Sequence, residues 1–363
     1  MRICLSPGAL STGGIGRNTL NLAQTFLEIG HEVDLVLIGE APGGREKEIP
    51  MGVSVYYVAR RSRYALLSMV KYLRKRRPDL IISAHHNINT VMLLSKKLSG
   101  LQRKMTLVCT FRTFRSVQYK RSSWQGKLYD WVAFRLYNGA DHLVAVSKGV
   151  ADDLENTTNI VRGSMKVIYN PAWSSEMRRR AHEACEDQWI TDSKMPIVVT
   201  AGRLTEEKDY PTLIRAFNVL RQQRECRLVI LGDGDERPLV EKLIAQYNLE
   251  NDVRMMGHVS NPLKYMASAN LFVLASAWEG FGNVLVEALG CGLPIVSTDC
   301  PSGPREILSN GEYGILVPVG DFISMSKAMS SWLDNPPSPE RQRQRAQEFS
   351  FEKSANEYLN LIS

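Results

Sequence analysis

The sequence lacks the features that mark several large classes of protein. Its six cysteines are scattered over 363 residues, with no C-x-x-C pair and no histidine-rich tract beside them. That spacing disfavours a zinc-binding or disulfide-stapled domain and is typical of core cysteines in a reducing compartment. No apolar run approaches the ~18 residues of a membrane-spanning helix. Residues 1–5 lead into a loop of proline, glycine and serine rather than a signal-peptide core. We therefore expect a cytoplasmic protein.

Acidic residues are scarce over one stretch of the chain. Between residues 49 and 129, seventeen lysines and arginines stand against a single acid, Asp79. Residues 1–190 contain 28 basic and 16 acidic residues, a net charge of +12, whereas residues 191–363 contain 17 and 22, a net charge of −5. This asymmetry predicts an anionic partner for the first half of the chain.

What the chain does contain is a regular alternation of apolar and amphipathic segments. With 44% hydrophobic and 23% charged residues, its composition suits a globular protein long enough for two domains. Short apolar segments separated by helices predict parallel strands covered on both faces of a sheet. These candidate strands lie at residues 2–5, 33–38, 80–83, 106–109, 143–146 and 166–169, and again at 197–201, 227–231, 253–255, 271–275, 295–297 and 315–317.

A polar stretch at residues 174–194, without a strand pattern, separates these two sets of strands. The chain is therefore predicted to be an α/β protein of two doubly wound, Rossmann-like domains that face a central cleft. We expect the first domain at residues 1–174 and the second at 175–348, with a last helix at 349–363 that crosses back onto the first domain. Ligands of such sheets bind beyond the carboxyl ends of the strands.

A glycine-rich loop follows the first predicted strand. Gly13, Gly14 and Gly16 open the first helix, where backbone amides can hold a diphosphate. The loop departs from G-x-G-x-x-G, because Thr19 stands where the third glycine belongs and no acid ends the second strand. A nicotinamide-dependent dehydrogenase is thereby disfavoured. A tight turn that binds nothing explains the same residues.

The second domain opens on the strand-end loop G-R-L-T-E-E-K-D. Arg203 and Lys208 are five residues apart in this loop, so a planar guanidinium and a compact ammonium can converge on one diphosphate. Glu206 and Glu207 lie between them, and an exposed group of salt bridges is the alternative interpretation.

A second glycine-rich loop follows the fourth predicted strand of this domain. Gly280 and Gly282 relieve crowding, and a helix beginning near Asn283 offers N–H groups to phosphate oxygens. Glu279 and Glu287 flank this anion site. Because carboxylates repel phosphates, they are better suited to accept hydrogen bonds from the hydroxyls of a sugar and a ribose. A glycosidase carboxylate pair is the weaker alternative, since it has no use for a phosphate site between its acids.

In combination, these motifs resemble the retaining GT-B glycosyltransferases of family four, the glycosyl transferases group 1, of the kind that build bacterial polysaccharide, lipopolysaccharide or capsule. The resemblance rests on the Glu279/Glu287 pair, on G-R-L-x-x-x-K at residues 202–208 and on the Gly13-Gly14 loop. Further matching segments are A-V-S-K-G-V at 145–150, V-I-Y-N-P at 167–171, L-G-D-G at 231–234 and S-T-D-C-P-S-G-P-R-E at 297–306.

The resemblance implies a role for each matching position. Arg203 and Lys208 would stabilise the diphosphate of a nucleotide sugar as leaving group, and Glu279 would contact the donor sugar. The acceptor hydroxyl would attack from the front face, assisted by the departing phosphate oxygen, so no enzymatic base is needed. The catalytic residues would be Arg203, Lys208 and Glu279. The donor site would comprise Gly14, Gly202, Arg203, Lys208, His258, Val259, Glu279, Gly280, Phe281, Gly282, Asn283, Val284 and Glu287.

The sequence departs from the family at one position. Members often carry histidine in a T-F-H segment, which here reads T-F-R and ends at Arg112. An arginine cannot act as a base, but it can bind an acceptor phosphate or a donor hydroxyl. His85 and His86 follow another predicted strand and are further acceptor candidates, with a structural role as the alternative.

Asp233 and Asp235 imitate the D-x-D motif of metal-dependent transferases. They stand in a strand-to-helix turn, where aspartate is an ordinary turn and capping residue. Arg203 and Lys208 already supply positive charge, so we expect no essential metal and no other cofactor.

Two predicted helices, at residues 64–77 and 125–138, combine basic with apolar side chains, and Tyr119, Lys120 and Arg121 add to the second. This pattern suits an interfacial helix on anionic lipid. A helix packed on the sheet with solvated charges is the alternative. Because no nucleic-acid-binding module accompanies the charge, we expect no nucleic-acid partner.

These observations lead to one functional hypothesis and two rivals. The hypothesis is a retaining, metal-independent hexosyltransferase of cell-surface polysaccharide synthesis, peripheral on the inner face of the cell membrane. Its donor would be a nucleotide sugar, UDP-HexNAc or UDP-Gal, and its acceptor a lipid-linked or growing glycan. The rivals are a non-catalytic sugar-nucleotide-binding protein of the same fold and a nucleic-acid-binding protein that uses the basic half.

Overall fold

The computed structural model describes residues 1–10, 13–38, 45–59, 61, 64–116 and 123–362. The chain divides into two compact units. The first unit comprises Met1–Pro171 and Phe351–Ser363, and the second comprises Ala172–Ser350. The sequence-predicted boundary after residue 174 lies three residues beyond the observed division. Tyr119, Lys120 and Arg121 lie outside the described residues.

The first unit is built on a seven-stranded, wholly parallel sheet of order β3-β2-β1-β4-β5-β6-β7. Its strands are β1 (Arg2–Gly8), β2 (Glu32–Ile38), β3 (Ser54–Ala59), β4 (Leu80–Ser83), β5 (Thr106–Phe111), β6 (His142–Ala145) and β7 (Met165–Val167). Its helices are α1 (Gly14–Glu28), α2 (Ala65–Arg76), α3 (His86–Ser99), α4 (Trp124–Tyr137) and α5 (Lys148–Thr157).

The central strands of this sheet are buried because they are apolar on both faces. β4, for example, is buried at all four residues. β3 was not predicted from the sequence, although its residues 55–59 form an apolar run. Its residues are half-buried or exposed at the edge of the sheet.

The C-terminal helix belongs to the first unit. α15 (Phe351–Leu359) packs against α1, and the Ser354 hydroxyl donates to the Tyr169 carbonyl over 2.8 Å. Ala355 and Tyr358 are buried in the same core as β1 and β2.

The second unit is built on six parallel strands of order β10-β9-β8-β11-β12-β13. The strands are β8 (Ile197–Ala201), β9 (Arg227–Leu231), β10 (Val253–Gly257), β11 (Leu271–Leu274), β12 (Ile295–Thr298) and β13 (Ile315–Val317). The helices are α6 (Ser175–Ala181), α7 (Gln188–Thr191), α8 (Tyr210–Gln223), α9 (Arg237–Gln246), α10 (Pro262–Ala267), α11 (Asn283–Cys291), α12 (Pro304–Ile307), α13 (Phe322–Asp334) and α14 (Pro339–Gln347).

The direction of winding reverses between β8 and β11. From β8 the chain adds β9 and β10 on one side, and then returns to place β11, β12 and β13 on the other. Loops leaving two adjacent strands at such a reversal diverge to opposite faces of the sheet and leave a crevice at its carboxyl edge. The fold therefore predicts a ligand site where β8 and β11 end.

Within the described ranges, no helix combines the length and the apolar character that crossing a bilayer requires.

Candidate active site

The predicted donor residues of the second unit all follow carboxyl ends of strands in its sheet. Gly202, Arg203 and Lys208 follow β8, and His258 and Val259 follow β10. The remaining donor residues follow β11 in the loop and helix 279–287. Because the strands are parallel, these segments share one edge of the sheet, and the β8 and β11 loops meet at the reversal of winding.

Lys208 and Glu279 form an ion pair at this reversal. The Lys208 Nζ lies 2.5 Å from Glu279 Oε1, and the two side chains are only 16% and 10% exposed. The Ser276 hydroxyl donates to the same carboxylate oxygen over 2.8 Å. Both contacts fall on Oε1, so Oε2 remains able to accept a hydrogen bond from a sugar hydroxyl. The ammonium carries three N–H donors and can bind a phosphate oxygen while it keeps its bond to Glu279.

Arg203 lies at the solvent side of the same loop. Its side chain is 66% exposed, and its Nη2 lies 3.5 Å from Glu207 Oε1. An exposed pair at that distance contributes little to stability, so the guanidinium can exchange Glu207 for a phosphate at small cost. This contact agrees with the alternative of an exposed salt bridge, and it also leaves Arg203 able to bind a diphosphate.

The loop before α11 is held in an open shape by glycine. Gly282 precedes the helix with φ of +97° and, as a glycine, offers no side chain to cap the helix N-terminus. Gly303 packs so closely that a Cβ there would lie 1.8 Å from the Phe281 carbonyl oxygen. The Ser302 hydroxyl donates to the Gly280 carbonyl over 2.9 Å. Carbonyl groups of this loop are thus turned toward the β12 loop.

A second close packing fixes the Lys208 loop. Gly232 has φ of +135°, and a Cβ there would lie 1.9 Å from the Gly202 carbonyl oxygen. A Cβ on Gly234 would lie 2.4 Å from the Leu204 carbonyl oxygen. Leu204 N donates to the Asp233 carbonyl over 3.0 Å. The L-G-D-G segment therefore positions the Lys208 loop through backbone contact.

Asp233 serves this turn directly. Its Oδ1 accepts from Gly234 N over 2.9 Å, and its Oδ2 lies 3.7 Å from Arg237 Nη1. These are the contacts of a turn residue. Among the described residues, no three His, Cys, Asp or Glu side chains are grouped as metal ligands.

His258, Val259 and Glu287 lie around the same edge. His258 is exposed after β10, Val259 is half-buried, and Gly232 N donates to the Gly257 carbonyl over 2.8 Å, which ties the β9 and β10 loops together. Glu287 is buried on the first turns of α11. Asn283 and Val284 are half-buried at the start of that helix, and Phe281 is buried.

The first unit carries the other predicted residues, also at carboxyl ends of its strands. Gly14 begins α1 after β1, and an added Cβ would meet no described atom within 4 Å. Arg112 follows β5, with its Nη1 3.4 Å from Asn170 Oδ1. Its Nε is buried and has no hydrogen-bond partner among the described residues. Burial lowers the pKa of Arg112. The guanidinium therefore gains by binding an anion.

The two histidines differ. His85 is exposed before α3, whereas His86 is enclosed by aromatic side chains and lies within 2.8–2.9 Å of Asp130 Oδ1 and the Tyr137 hydroxyl. Burial, and then the charge of Arg115, lower the pKa of His86 to about 4. A neutral ring with both nitrogens close to polar neighbours is a structural group and a poor acceptor ligand.

Two family models match the two halves of the chain. Residues 12–172 match the model described as Glycosyltransferase Family 4, and residues 182–349 match the one described as Glycosyl transferases group 1. The chain belongs to the glycosyltransferases. The matched ranges fall almost entirely in the first and the second unit, respectively.

Two curated relatives are similar to this chain over part of their length. The N-acetylgalactosamine-N,N'-diacetylbacillosaminyl-diphospho-undecaprenol 4-alpha-N-acetylgalactosaminyltransferase of Campylobacter jejuni is 32% identical over 247 residues, 68% of this chain and 65% of the relative. The lipopolysaccharide core biosynthesis glycosyltransferase LpsE of Rhizobium meliloti is 32% identical over 178 residues, 48% of this chain and 51% of the relative. The chain thus spans between half and two thirds of these relatives.

A solved structure shares the fold. HepE from Anabaena, in complex with UDP, matches with a TM-score of 0.80 at 19% identity, and the match covers 99% of both chains. At this identity the likeness shows the fold alone. That fold is GT-B, two α/β domains with parallel sheets.

Several side chains at the candidate site were not singled out from the sequence. Ser276 holds Glu279, and the buried Tyr210 donates from its hydroxyl to the Gly202 carbonyl over 3.1 Å. Burial, and then the charge of Glu279, raise the pKa of Tyr210. Ser302 and Gly303 lie in a segment that matched the family without a role. The available signal was their position at strand ends, one loop away from Glu279.

Proposed function

We propose that this protein transfers a sugar, with retention, from a nucleotide sugar to a lipid-linked or growing glycan in cell-surface polysaccharide synthesis. UDP-HexNAc and UDP-Gal are the proposed donors. The observation that carries the proposal is the Lys208–Glu279 pair at the reversal of winding. It offers a cation for a diphosphate and a carboxylate for a sugar within one hydrogen-bonded unit.

In the proposed reaction, Lys208 and Arg203 neutralise the charge that grows on the diphosphate as the bond from the anomeric carbon to the phosphate oxygen breaks. The acceptor oxygen forms its new bond on the same face of the sugar. Its proton passes to the departing phosphate oxygen. Glu279 orients the sugar through Oε2 while Ser276 and Lys208 hold Oε1. The remaining donor contacts fall to Gly14, His258, Val259, Glu287 and the backbone of residues 280–284.

A lipid-linked acceptor is favoured by two observations. The printed name of the Campylobacter jejuni relative contains a diphospho-undecaprenol acceptor. The first unit of this chain contains Arg112, whose buried Nε has no hydrogen-bond partner among the described residues. We therefore propose that Arg112 binds a phosphate of the acceptor, with His85 beside the same sheet edge, and that the protein works on the inner face of the cell membrane.

The experiment that tests this function measures transfer directly. The protein is incubated with radiolabelled UDP-sugars and GDP-sugars, with and without vesicles that carry polyprenyl-diphosphate sugars. We expect transfer from a UDP-sugar and slow donor hydrolysis without acceptor, both unchanged by EDTA because Arg203 and Lys208 supply the positive charge. Absence of both reactions with every donor would favour the non-catalytic binding protein, and tight RNA or DNA binding in its place would favour the nucleic-acid rival.

A further inference from the structure

The outer face of α4 is apolar and exposed. Trp124, Leu128 and Trp131 are 72%, 56% and 49% exposed, and Val132 beside them is 44% exposed. The spacing of four and then three residues places these side chains on one stripe of the helix. Large apolar side chains scattered singly on a surface are ordinary, but a continuous stripe with two tryptophans marks a contact surface.

The other face of α4 explains why this stripe cannot turn inward. Asp130 is buried and pairs with both Arg115 and His86. Phe134 and Tyr137 are buried against Phe111 and His86, with ring centres 5.0–6.3 Å apart. Rotating the helix to cover its tryptophans would expose these rings and break the ion pair between the buried Asp130 and Arg115, which is strongly unfavourable.

Helix α2, in the same layer as α4, is basic on its outer face. α2 packs on α3, and α3 packs on α4, so the three form one layer on the sheet. Leu67 on α2 is 78% exposed, and Lys71 and Lys75 stand exposed around it. The three helices contain one acid, Asp130, and it is buried.

We propose that this layer, the outer face of α4 with the basic outer face of α2, docks the protein on an anionic lipid bilayer. Trp124, Leu128 and Trp131 enter the boundary between headgroups and acyl chains, where tryptophan is favoured. Arg135, whose guanidinium lies 3.9 Å from the Trp131 ring centre, and the lysines of α2 attract the lipid charge. The proposal rests on the proposed function only in its purpose, which is to bring a lipid-linked acceptor to the protein.

The test is sedimentation with phosphatidylcholine vesicles that contain about 30 mol% phosphatidylglycerol, compared with pure phosphatidylcholine. The test variant is Trp124→Ala/Leu128→Ala/Trp131→Ala. The matched control is Leu239→Ala/Ile323→Ala, which removes similarly exposed apolar groups from the second unit. We expect the full chain to bind the anionic vesicles, the test variant to bind them at least about tenfold more weakly, and the control to bind normally.

A second measurement tests whether Trp124 and Trp131 themselves contact the lipid. Brominated lipids in the same vesicles should quench the fluorescence of the full chain, and Trp124→Phe/Trp131→Phe should lose most of that quenching. Equal sedimentation of the test variant and the full chain would overturn the proposal. So would a dimer in analytical ultracentrifugation that the test variant makes monomeric, without vesicle binding by the full chain. Donor hydrolysis in vesicle-free buffer should be unchanged in the test variant, and its absence in every form would count against the proposed function alone.

Discussion

The ion pair between Lys208 and Glu279 has a structural role and a proposed role in binding the donor. Each neutralises the other in a poorly exposed place, and each also offers atoms to a ligand. A purely structural pair could be replaced by neutral side chains of similar shape, because removing both charges avoids an unpaired buried ion. A donor site could not, since a diphosphate needs the ammonium.

A double-mutant cycle separates the two roles. Lys208→Met and Glu279→Gln should each lower the free energy of unfolding by about 2 kcal/mol, because each leaves a partly buried charge without its partner. The double variant should regain most of that stability. Transfer by Lys208→Met and by the double variant should both fall at least about a hundredfold. Denaturant unfolding and donor turnover provide the readouts, and recovery of activity together with stability in the double variant would reduce the pair to a structural one.

Gly14 provides a prediction in the first unit. Gly14→Ala meets no described atom and replaces glycine at the start of a helix, so stability should stay the same or rise by up to about 1 kcal/mol. If the backbone there closely approaches the donor diphosphate, the added methyl should raise the donor KM about tenfold. Thermal unfolding and donor titration measure the two effects. An unchanged KM would return this loop to a tight turn that binds nothing.

At the scale of single residues, the sequence suggested candidate residues for the site but not the contacts between them. The G-R-L-x-x-x-K spacing identified Lys208, but no spacing showed that its partner is Glu279, 71 positions away. Ser276 and Tyr210 were not predicted for the same reason, because their contacts depend on which strands are neighbours in the sheet. His86 and Arg112 have similar positions in the sequence, because each comes shortly after a strand. The structure distinguishes them by the aromatic rings that surround His86.

At the scale of elements, the position of the Lys208 loop depends on backbone contact with the turn after β9. Gly232 and Gly311 both have positive φ, +135° and +100°. A Cβ on Gly232 would clash with the Gly202 carbonyl oxygen, whereas a Cβ on Gly311 would meet no described atom within 4 Å. Alanine substitutions at these two glycines therefore distinguish the effect of local backbone strain, present in both, from displacement of the Lys208 loop, expected only at Gly232.

Gly232→Ala should lower stability by more than Gly311→Ala, which carries only the strain of about 1–2 kcal/mol. Gly232→Ala should also reduce transfer by displacing Gly202 and the Lys208 loop, whereas Gly311→Ala should keep full activity. Chemical denaturation and initial-rate kinetics of the two variants test this. Equal activity in both would mean that the β9 turn does not position the site.

The position of a strand in its sheet did not decide whether it could be predicted. β8 and β9 have the predicted bounds because each is a largely apolar run between turns. The edge strand β10 was predicted as well, whereas the edge strand β3 was not, although its residues 55–59 are apolar. Helix α4 is apolar on two faces, so periodicity alone could not show which face packs on the sheet. Its buried Asp130, paired with Arg115, is what fixes the choice.

At the scale of the whole molecule, the charge asymmetry has a structural location. The seventeen basic residues between positions 49 and 129 include those of α2 and α3, while the proposed diphosphate ligands Arg203 and Lys208 lie in the half of net charge −5. The basic surplus is thus separate from the residues proposed to bind the nucleotide. We propose that an anionic membrane and its lipid-linked acceptor account for it.

Salt should therefore affect the two substrates differently. Raising NaCl from about 0.05 M to about 0.5 M shortens the range of exposed charges, so transfer to a vesicle-borne acceptor should fall several-fold. Transfer to a short water-soluble acceptor, and donor hydrolysis, should change much less because the Lys208–Glu279 pair is poorly exposed. Parallel assays across the salt series measure the difference, and identical salt profiles would remove the membrane from the account.

The central claim is that the carboxyl edge of the second sheet binds the diphosphate of a nucleotide sugar. Calorimetric titration of UDP into the full chain and into the Lys208→Met/Glu279→Gln variant tests it most directly. The account predicts saturable, one-to-one binding to the full chain and its loss in a variant that unfolds normally. Binding of UDP that is equal in the two proteins, or absent for both UDP and GDP in the full chain, would contradict it.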